Sequence, residues 1–289
     1  MKKIFVIVFL ILLSMGTIIV YQYTGFYDDK LHIVVCDVGQ GDGIFIRTPK
    51  RLNLIIDSGP DNSMLSCLSK HMPFWDKTFH IAFLTHPHTD HFAGFNSIVK
   101  RYNVLSFDTE RLENKAVGFE ELMKIIKNKK IPIRYLYSGD SFKTKEGVGI
   151  SLLGPTSEFL QQTSPNGVIG ESKEFASLIT LISYGSFNAV FTGDSQASEL
   201  EDALSKMRGI TSISVLQVPH HGSKTGLSKE ILEMIRPKLA VVSVGSKNRY
   251  GHPAPFTLDL LNQFKIKILR TDQNGEVQVI SDGNQWKVN

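Results

Sequence analysis

Hydrophobic residues follow three patterns along the chain. The first is an uncharged apolar run from Ile4 to Val20, which predicts a helix. The second is a set of short apolar stretches bounded by turn residues, typical of buried strands. The third is a spacing of three and four between apolar residues, which predicts amphipathic helices. Strands are predicted at 31–37, 44–47, 52–57, 81–84, 150–154, 176–183, 187–192, 214–218, 239–244, 265–272 and 275–281, and helices after Asp90, over 120–130 and over 195–207.

The apolar N-terminal run has three interpretations. Lys2 and Lys3 precede its 17 residues, a length at the short end for a helix that spans a bilayer. A cleaved secretory signal is the second interpretation, but the bulky residues 18–23 offer no small-x-small cleavage site. Tyr21 and Tyr23 fit an aromatic belt at a membrane surface, so an uncleaved single-pass anchor is favoured over a secreted chain. A buried N-terminal helix is the third and weakest interpretation.

The charges before this run predict its orientation. Basic residues stay on the cytoplasmic side of a membrane, which would place the rest of the chain outside the cell membrane. We predict an anchor or signal segment over 1–24, a linker over 25–30 and one α/β domain over 31–289. The hydrophobic content of 42% is sufficient for a core in a domain of that size.

Cysteine content and net charge exclude some classes of protein. Cys36 lies in a mostly apolar run, so a buried free thiol is expected there, and no disulfide framework is predicted with Cys67. The two cysteines do not form a cysteine-based zinc motif. The formal net charge of +4 permits binding of a polyanion but does not by itself indicate it.

The strongest chemical signal lies between Thr85 and His91, where the sequence is THPHTDH. Three histidines and one aspartate follow a predicted strand in a Pro-containing loop, so their side chains can point into one small volume. His86 and His88 alternate and can both face one ion, while Asp90 and His91 reach a second. Imidazole and carboxylate ligands suit zinc, manganese or iron. The stretch therefore predicts a metal site.

The pattern His-x-His-x-Asp-His resembles the signature of the metallo-β-lactamase superfamily. Four further motifs narrow the resemblance to the extracellular hydrolase-like domain of the ComEC/Rec2 DNA-uptake proteins. They are DVGQGD at 37–42, TGD at 192–194, VPHHGS at 218–223 and NRYGHP at 248–253. The resemblance runs from about Leu31 to the C-terminus, and it implies a four-layer αββα sandwich with the site at the strand ends.

The resemblance also implies a centre for two divalent metal ions, either manganese or zinc. His86 and His88 would hold one ion. Asp90, His91 and His221 would hold the other. Asp194 would bridge the two ions. His220 is the alternative to His221 as the last ligand. Asp57 is expected to orient metal ligands through hydrogen bonds, and Asp42 is expected to support them in the same way, with a turn or the rim of the site as its alternative positions. The ligand set is His86, His88, Asp90, His91, Asp194 and His221.

Catalytic and substrate-binding roles are expected for residues near these ligands. Asp90 and Asp194 are candidate proton acceptors. His252 is a candidate for contacting a phosphate oxygen or for protonating a leaving group. Three residues in or beyond the last ligand loop are candidates for binding a phosphate. They are Ser223, Lys224 and Arg270.

Two features depart from the patterns of the superfamily and of its ComEC-like branch. Many superfamily members bind the first metal through a third histidine, but there is none between Gly94 and Asp194 here. That absence agrees with the ComEC-like branch and favours manganese slightly over zinc, because the first site would rely on oxygen ligands. ComEC-like domains usually carry an Asn-Asn pair where Glu174 and Phe175 stand, so a carboxylate would repel a phosphate or add a ligand.

The leading functional hypothesis is a membrane-anchored hydrolase that cleaves phosphodiesters, with nucleic acid as substrate. Hydrolysis of a lactam, lactone or thioester is the alternative activity, and a non-catalytic domain that binds DNA or a cell-surface partner is the alternative class. The basic side of the predicted helix at 120–130 has two interpretations. It is either a solvated helix face or a patch that binds along a nucleic-acid backbone. Its cations are Lys124, Lys127, Lys129 and Lys130, and Arg134 lies just beyond.

Overall fold

The computed structural model describes residues 2–170, 176–205, 207 and 212–289. The helices of this part of the chain are α1 (Lys2–Phe26), α2 (Ser63–His71), α3 (Thr89–Phe92), α4 (Phe95–Arg101), α5 (Val117–Asn128), α6 (Ser157–Thr163), α7 (Ala197–Ser205), α8 (Lys229–Ile235), α9 (Pro255–Gln263) and α10 (Thr271–Asn274), with a short 3₁₀ turn at Pro219–Gly222. The strands are β1 (Leu31–Val35), β2 (Gly43–Arg47), β3 (Asn53–Ser58), β4 (Thr78–Phe79), β5 (Ile81–Leu84), β6 (Asn103–Val104), β7 (Phe107–Thr109), β8 (Ile133–Tyr135), β9 (Ser141–Lys143), β10 (Gly149–Gly154), β11 (Ile179–Tyr184), β12 (Phe187–Phe191), β13 (Val215–Gln217), β14 (Leu239–Val242), β15 (Lys267–Arg270), β16 (Val277–Ser281) and β17 (Trp286–Val288).

Most of these strands form two large mixed sheets. The first has the order β17-β16-β1-β2-β3-β5-β7-β8, and the second has the order β15-β14-β13-β12-β11-β10-β9. Strands β3, β5, β7 and β8 run parallel, as do β12 to β15. Parallel strands are covered on both faces and are therefore continuously apolar, which is why β5 coincides with the predicted strand at 81–84.

The packing of the sheets gives four layers. A core cluster between the sheets includes Ile33 and Phe83 from the first sheet with Phe191 and Leu239 from the second. Helices α2, α4 and α5 cover the outer face of the first sheet. Helices α7, α8 and α9 cover the outer face of the second. The predicted αββα sandwich is therefore confirmed.

Helix α1 stands apart from this core. None of its 25 residues is buried, which excludes the buried N-terminal helix. In the part of the chain that the structure describes, it is the one helix long and apolar enough to cross a membrane. It continues through Phe26, into the segment predicted as a linker, and β1 begins at Leu31.

Cys36 and Cys67 form a disulfide, with their Cα atoms 5.9 Å apart. The expectation of a free thiol at Cys36 is therefore wrong, although Cys36 is buried as expected, and Cys67 is buried as well. Cys36 follows β1, and Cys67 lies on the buried face of α2, which packs beneath the same sheet. The packing of helix on sheet brings the two thiols together, and their separation of 31 residues does not reveal it.

Candidate metal centre

The predicted ligands come from loops at one edge of the two sheets. His86 follows the carboxyl end of β5, Asp194 follows β12, and His221 follows β13. The carboxyl ends of neighbouring parallel strands meet at the same edge, so these loops converge although the residues are far apart in sequence.

Asp90, His91, Asp194 and His221 form one group of possible ligands, which we name the His91 site. The Nε2 atoms of His91 and His221 lie 3.3 and 3.4 Å from Oδ1 of Asp194. Oδ2 of Asp90 lies 3.4 Å from Nε2 of His221. His91, Asp194 and His221 are buried, whereas the side chain of Asp90 is 33% exposed.

His86, His88 and Asp194 form a second group, which we name the His86 site. Nε2 of His86 lies 3.0 Å from Nδ1 of His88 and 3.8 Å from Oδ2 of Asp194. His220 also approaches Oδ2 of Asp194, at 3.7 Å. The two oxygens of Asp194 are therefore divided between the two sites, as a bridging carboxylate requires.

Three buried atoms of the His91 site have no hydrogen-bond partner among the described residues: Nε2 of His91, Nε2 of His221 and Oδ1 of Asp194. Unpaired polar atoms in a protein interior are costly, so their convergence calls for a ligand. Two imidazole nitrogens and a carboxylate oxygen are a donor set for a divalent transition metal. The residues present therefore fit a metal ion.

Asp57 at the end of β3 orients one of these ligands. Its Oδ2 accepts a hydrogen bond from Nδ1 of His91 at 2.8 Å. The backbone N–H and the hydroxyl of Thr85 also donate to the Asp57 carboxylate, at 2.8 and 2.7 Å. With Nδ1 engaged as a donor, His91 can present only Nε2 to a metal.

His221 is oriented in a comparable way. Its Nδ1 donates to the backbone carbonyl of Ser243 at 3.0 Å and lies 3.6 Å from Oδ1 of Asp42. The other oxygen of Asp42 accepts from the Gln217 side chain at 2.5 Å. Asp42 is buried behind the two imidazoles, so the structure places it under the centre rather than at its rim.

The backbone is strained at three positions of this centre. Asp57, His220 and His221 have φ angles of 56°, 51° and 54°, a region that costs residues other than glycine about 1–3 kcal/mol each. Gly193 supplies clearance, because a Cβ atom there would collide with the side chains of Ser177 and Thr85. Strain maintained at neighbouring ligand loops is typical of a functional site.

The charges of the His91 site are arranged to hold a cation. Burial would raise the pKa of Asp194, but His221 and His91 hold that pKa well below its usual range. Burial would also lower the pKa of His91, yet Asp194, Asp57 and Asp90 together raise it well above its ordinary value. Without a metal, protons on the imidazoles balance the buried carboxylates.

The His86 site behaves differently. Burial and the neighbouring His91 lower the pKa of His86 well below its ordinary value. The same two causes lower the pKa of His88. Both rings are therefore neutral near pH 7, which is the form that binds a metal.

The two sites open into a cleft of about 370 Å³. Tyr250 and His252 form part of its wall, and Tyr250 is 68% exposed. Asn248 holds their loop in place, since its side chain bonds both the N–H and the carbonyl of His252. Burial, followed by His220 and His221, lowers the pKa of His252. The remaining lining residues are Gln40, His88, Thr89, Asp90, Asn114, Asp194, His220 and His221.

The predicted phosphate-binding residues do not line this cleft. The hydroxyl of Ser223 pairs with that of Thr225 at 3.1 Å, and Lys224 is exposed outside the cleft. Arg270 forms a bidentate pair with Asp272, at 2.9 and 2.6 Å, so its charge is already balanced. Glu174 and Phe175 lie outside the described residues.

Three contributors to the centre were not predicted from the sequence. Thr85 precedes the ligand motif directly, and its position there was the available signal. Tyr250 belongs to the same motif as His252, and an aromatic residue in a site loop was a usable signal. Gln217 lies in an apolar strand, and nothing in the sequence indicates that it contacts Asp42.

Comparison with known proteins gives a consistent picture. The metallo-beta-lactamase superfamily model matches residues 36–107. ComE operon protein 3 of Bacillus subtilis is 28% identical over 259 residues, which cover 84% of this chain and 32% of that protein. Recombination protein 2 of Haemophilus influenzae is 28% identical over 196 residues, covering 68% of this chain and 21% of that protein. The chain thus spans less than half the length of these relatives.

Solved structures share the architecture. The metallo-beta-lactamase fold protein YhfI from Bacillus subtilis has a TM-score of 0.57 at 13% identity, over 86% of this chain and 99% of that one. CmlA, a diiron beta-hydroxylase from Streptomyces venezuelae, has a TM-score of 0.52 at 13% identity, over 83% of this chain and 52% of that one. At such identities the likeness shows the fold alone. The chain is therefore a metallo-β-lactamase-fold protein whose sequence is similar to the ComEC-family competence proteins.

Proposed function

We propose that this chain is a membrane-anchored, metal-dependent phosphodiesterase that cleaves DNA outside the cell membrane. The observation that carries the proposal is the convergence of His91 and His221 on one oxygen of Asp194 beside an open cleft. The similarity to a ComE operon protein and a recombination protein supports nucleic acid as the substrate.

Two divalent ions, manganese or zinc, are the proposed cofactors. The His91 site and the His86 site would each hold one, with Asp194 shared between them. When bound, such a pair supplies an activated water nucleophile and neutralises the charge that develops on a phosphate.

The roles of the surrounding side chains follow from their exposure. Asp90 faces the cleft and is one-third exposed, so it is the better candidate to accept a proton from the attacking water. Asp194 is enclosed and suits the bridging role. His252 has a lowered pKa and is neutral near pH 7, which suits a hydrogen bond to a phosphate oxygen more than protonation of a leaving group.

One loop at the cleft favours a nucleic acid over a small molecule. Tyr250 presents an exposed ring, and the exposed cations Lys247 and Arg249 precede it in the same loop. Aromatic rings on which bases stack, combined with cations along the backbone, are the usual means of binding single-stranded nucleic acid. A lactam or thioester would make no use of this arrangement.

Two observations support a location outside the cell membrane with α1 as the anchor. Cys36 and Cys67 form a disulfide. Disulfides form and persist in oxidising compartments outside the cytosol. Lys2 and Lys3 at the start of α1 favour a cytoplasmic N-terminus. Cleavage of α1 after export is the alternative, and the N-terminal sequence of the mature protein distinguishes the two.

Cleavage of end-labelled DNA tests the proposed activity. The full chain in detergent, loaded with manganese or with zinc, is incubated with single-stranded and double-stranded DNA, and the fragments are resolved by size. Asp90→Asn is the test variant. Asp259→Asn is the matched control, because Asp259 is an exposed carboxylate on α9. We expect cleavage by the parent and the control and none by Asp90→Asn.

Metal-loaded protein that leaves both DNAs intact would contradict the phosphodiesterase. Nitrocefin and acyl-lactone assays on the same preparation then test the small-molecule alternative. DNA binding without turnover of any of these substrates would point to the non-catalytic alternative.

A further inference from the structure

Helix α1 is fastened to one edge of the first sheet. Arg51, in the turn between β2 and β3, donates a hydrogen bond to the Tyr23 hydroxyl at 2.6 Å. Its guanidinium group also lies over the Tyr27 ring, 4.1 Å from the centroid. The backbone N–H of Phe74 donates to the Gln22 side chain at 3.3 Å. The folded domain therefore begins at the level of residues 22–27, at the C-terminal end of α1.

That edge of the sheet is opposite the metal centre. Strands β1, β3, β5, β7 and β8 share one direction, and their amino ends lie where α1 joins the domain. The metal ligands follow the carboxyl ends. Strand β3 has six residues, which separates the two edges by roughly 20 Å.

Exposed apolar side chains lie at the α1 edge. Phe74 is 60% exposed and Trp75 is 39% exposed, and their rings contact each other with centroids 4.9 Å apart. Leu105, before β7, is also exposed. In a helix with a rise of 1.5 Å per residue, a hydrocarbon core of about 30 Å takes about 20 residues. The contact with Gln22 therefore places Phe74 and Trp75 at the depth of a membrane interface.

A basic groove of about 560 Å³ continues from these residues. Its lining, all within the described chain, contains four cations and no carboxylate. Glu121 pairs with Lys100 at 2.9 Å, and it is not among the lining residues. The backbone links the groove to the aromatic pair, since Asn103 donates to the carbonyl of Lys77 at 2.7 Å. The four cations are Lys100, Arg101, Lys129 and Lys130.

We propose that this edge, named the anchor face, lies on an anionic lipid surface. The anchor face comprises Phe74, Trp75, Leu105 and the groove cations. Exposed aromatic rings suit the headgroup region, and clustered Lys and Arg suit anionic lipids. The metal centre then faces the aqueous side, where a polymer can enter the cleft. The inference rests on the proposed insertion of α1 and not on the proposed nuclease activity.

Fluorescence quenching tests the contact. The chain has two tryptophans, Trp75 and Trp286, and Trp286 packs against Phe187. The full chain is reconstituted into nanodiscs that contain brominated lipids, and wild type is compared with Trp75→Phe, a change at an exposed position. The emission that is lost in Trp75→Phe is the emission of Trp75. We expect brominated lipids to quench this emission and aqueous acrylamide not to reach it.

Lipid charge provides the second readout. We expect stronger lipid quenching of Trp75 when the nanodiscs contain phosphatidylglycerol than when they contain phosphatidylcholine alone. The variant Arg101→Glu/Lys130→Glu should lose this difference. The matched control is Lys115→Glu/Lys224→Glu, which alters exposed cations in loops beyond the carboxyl ends of strands, and it should keep the difference.

Three outcomes would overturn the proposal. A chain that fails to co-float with vesicles would overturn the insertion of α1 and this inference together. A chain that floats, with Trp75 open to acrylamide and unaffected by brominated lipid, would overturn this inference alone. Protection of Trp75 only after DNA is added would assign the basic groove to nucleic acid instead.

Discussion

Asp57 receives a hydrogen bond from Nδ1 of His91 at 2.8 Å, and this leaves Nε2 of the same ring 3.3 Å from Asp194. The same carboxylate accepts two hydrogen bonds from Thr85, directly before the ligand motif. One buried side chain thus holds both ends of the His-x-His-x-Asp-His loop. The affinity for metal should therefore depend on a residue whose carboxylate is fully engaged with protein groups.

The variant Asp57→Asn tests this dependence. An amide oxygen cannot replace both carboxylate oxygens as acceptors for Thr85 and His91, so the ring loses its fixed orientation. We expect metal affinity to fall by about 10–100-fold, the range usual for partners of metal-binding histidines. Chelator competition measures the Kd, with Asp259→Asn as the control. Equal Kd values for the parent and Asp57→Asn would contradict the role.

Metal stoichiometry distinguishes the two proposed sites. We expect the parent to bind two ions and His88→Ala to bind one, because His88 contributes to the His86 site alone. Equilibrium dialysis followed by elemental analysis gives the number. Asp194→Ala should lose ions from both sites. A parent that binds one ion at saturation would reduce the centre to the His91 site.

Metal binding at the His91 site should tighten as pH rises. Burial would lower the pKa of His221, but the carboxylates Asp194 and Asp42 raise that pKa well above its ordinary value. The pKa of His91 is raised in a similar way. Both rings are therefore imidazolium cations near pH 7 in the metal-free protein. Each ring must lose its additional proton before a metal binds.

Calorimetry in buffers of different ionisation enthalpy measures this proton release. We expect release on filling the His91 site and little on filling the His86 site, because the pKa values of His86 and His88 are lowered. A binding heat that is the same in all buffers would show that His91 and His221 are already neutral.

The disulfide should contribute substantially to stability. A covalent link across 31 residues of sequence removes conformational freedom from the unfolded chain, worth about 3–4 kcal/mol in the free energy of unfolding. Urea unfolding with and without a reductant measures the difference. The control is Cys36→Ala/Cys67→Ala, whose unfolding should not respond to the reductant. Two alkylated thiols in exported, unreduced protein would contradict the bond.

Tyr250 should contribute to binding of DNA and not to the chemical step. Loss of one stacked base costs about 1–3 kcal/mol, so Tyr250→Ala should raise KM for single-stranded DNA by about 5–150-fold with little change in kcat. Tyr250→Phe keeps the ring and should restore KM. Steady-state cleavage assays separate the two constants. A fall in kcat with unchanged KM would place Tyr250 in the chemistry instead.

The sequence alone predicted the parts of this protein that depend on neighbouring residues. The apolar run that became β5, the ligands from His86 to His91 and the apolar character of α1 all lie within short stretches. Hydrophobic periodicity and adjacent ligands are local properties, so they can be read without knowing the fold. Asp194 and His221 were predicted as metal ligands only through motifs that resemble those of a family, because no pattern in the neighbouring sequence links these residues to His91.

Only the tertiary structure decided the rest. It joined Cys36 to Cys67 in a disulfide. It placed Gln217 against Asp42, and Asp42 beneath His221. It also paired Arg270 with Asp272 and kept Ser223 and Lys224 out of the cleft. It also brought Phe74 beside the end of α1 and put the cations after α5 at the edge opposite the metal centre. The physical reason is that strand order and helix packing determine which distant residues meet, and these arise from burial summed over the whole core rather than from any one stretch of sequence.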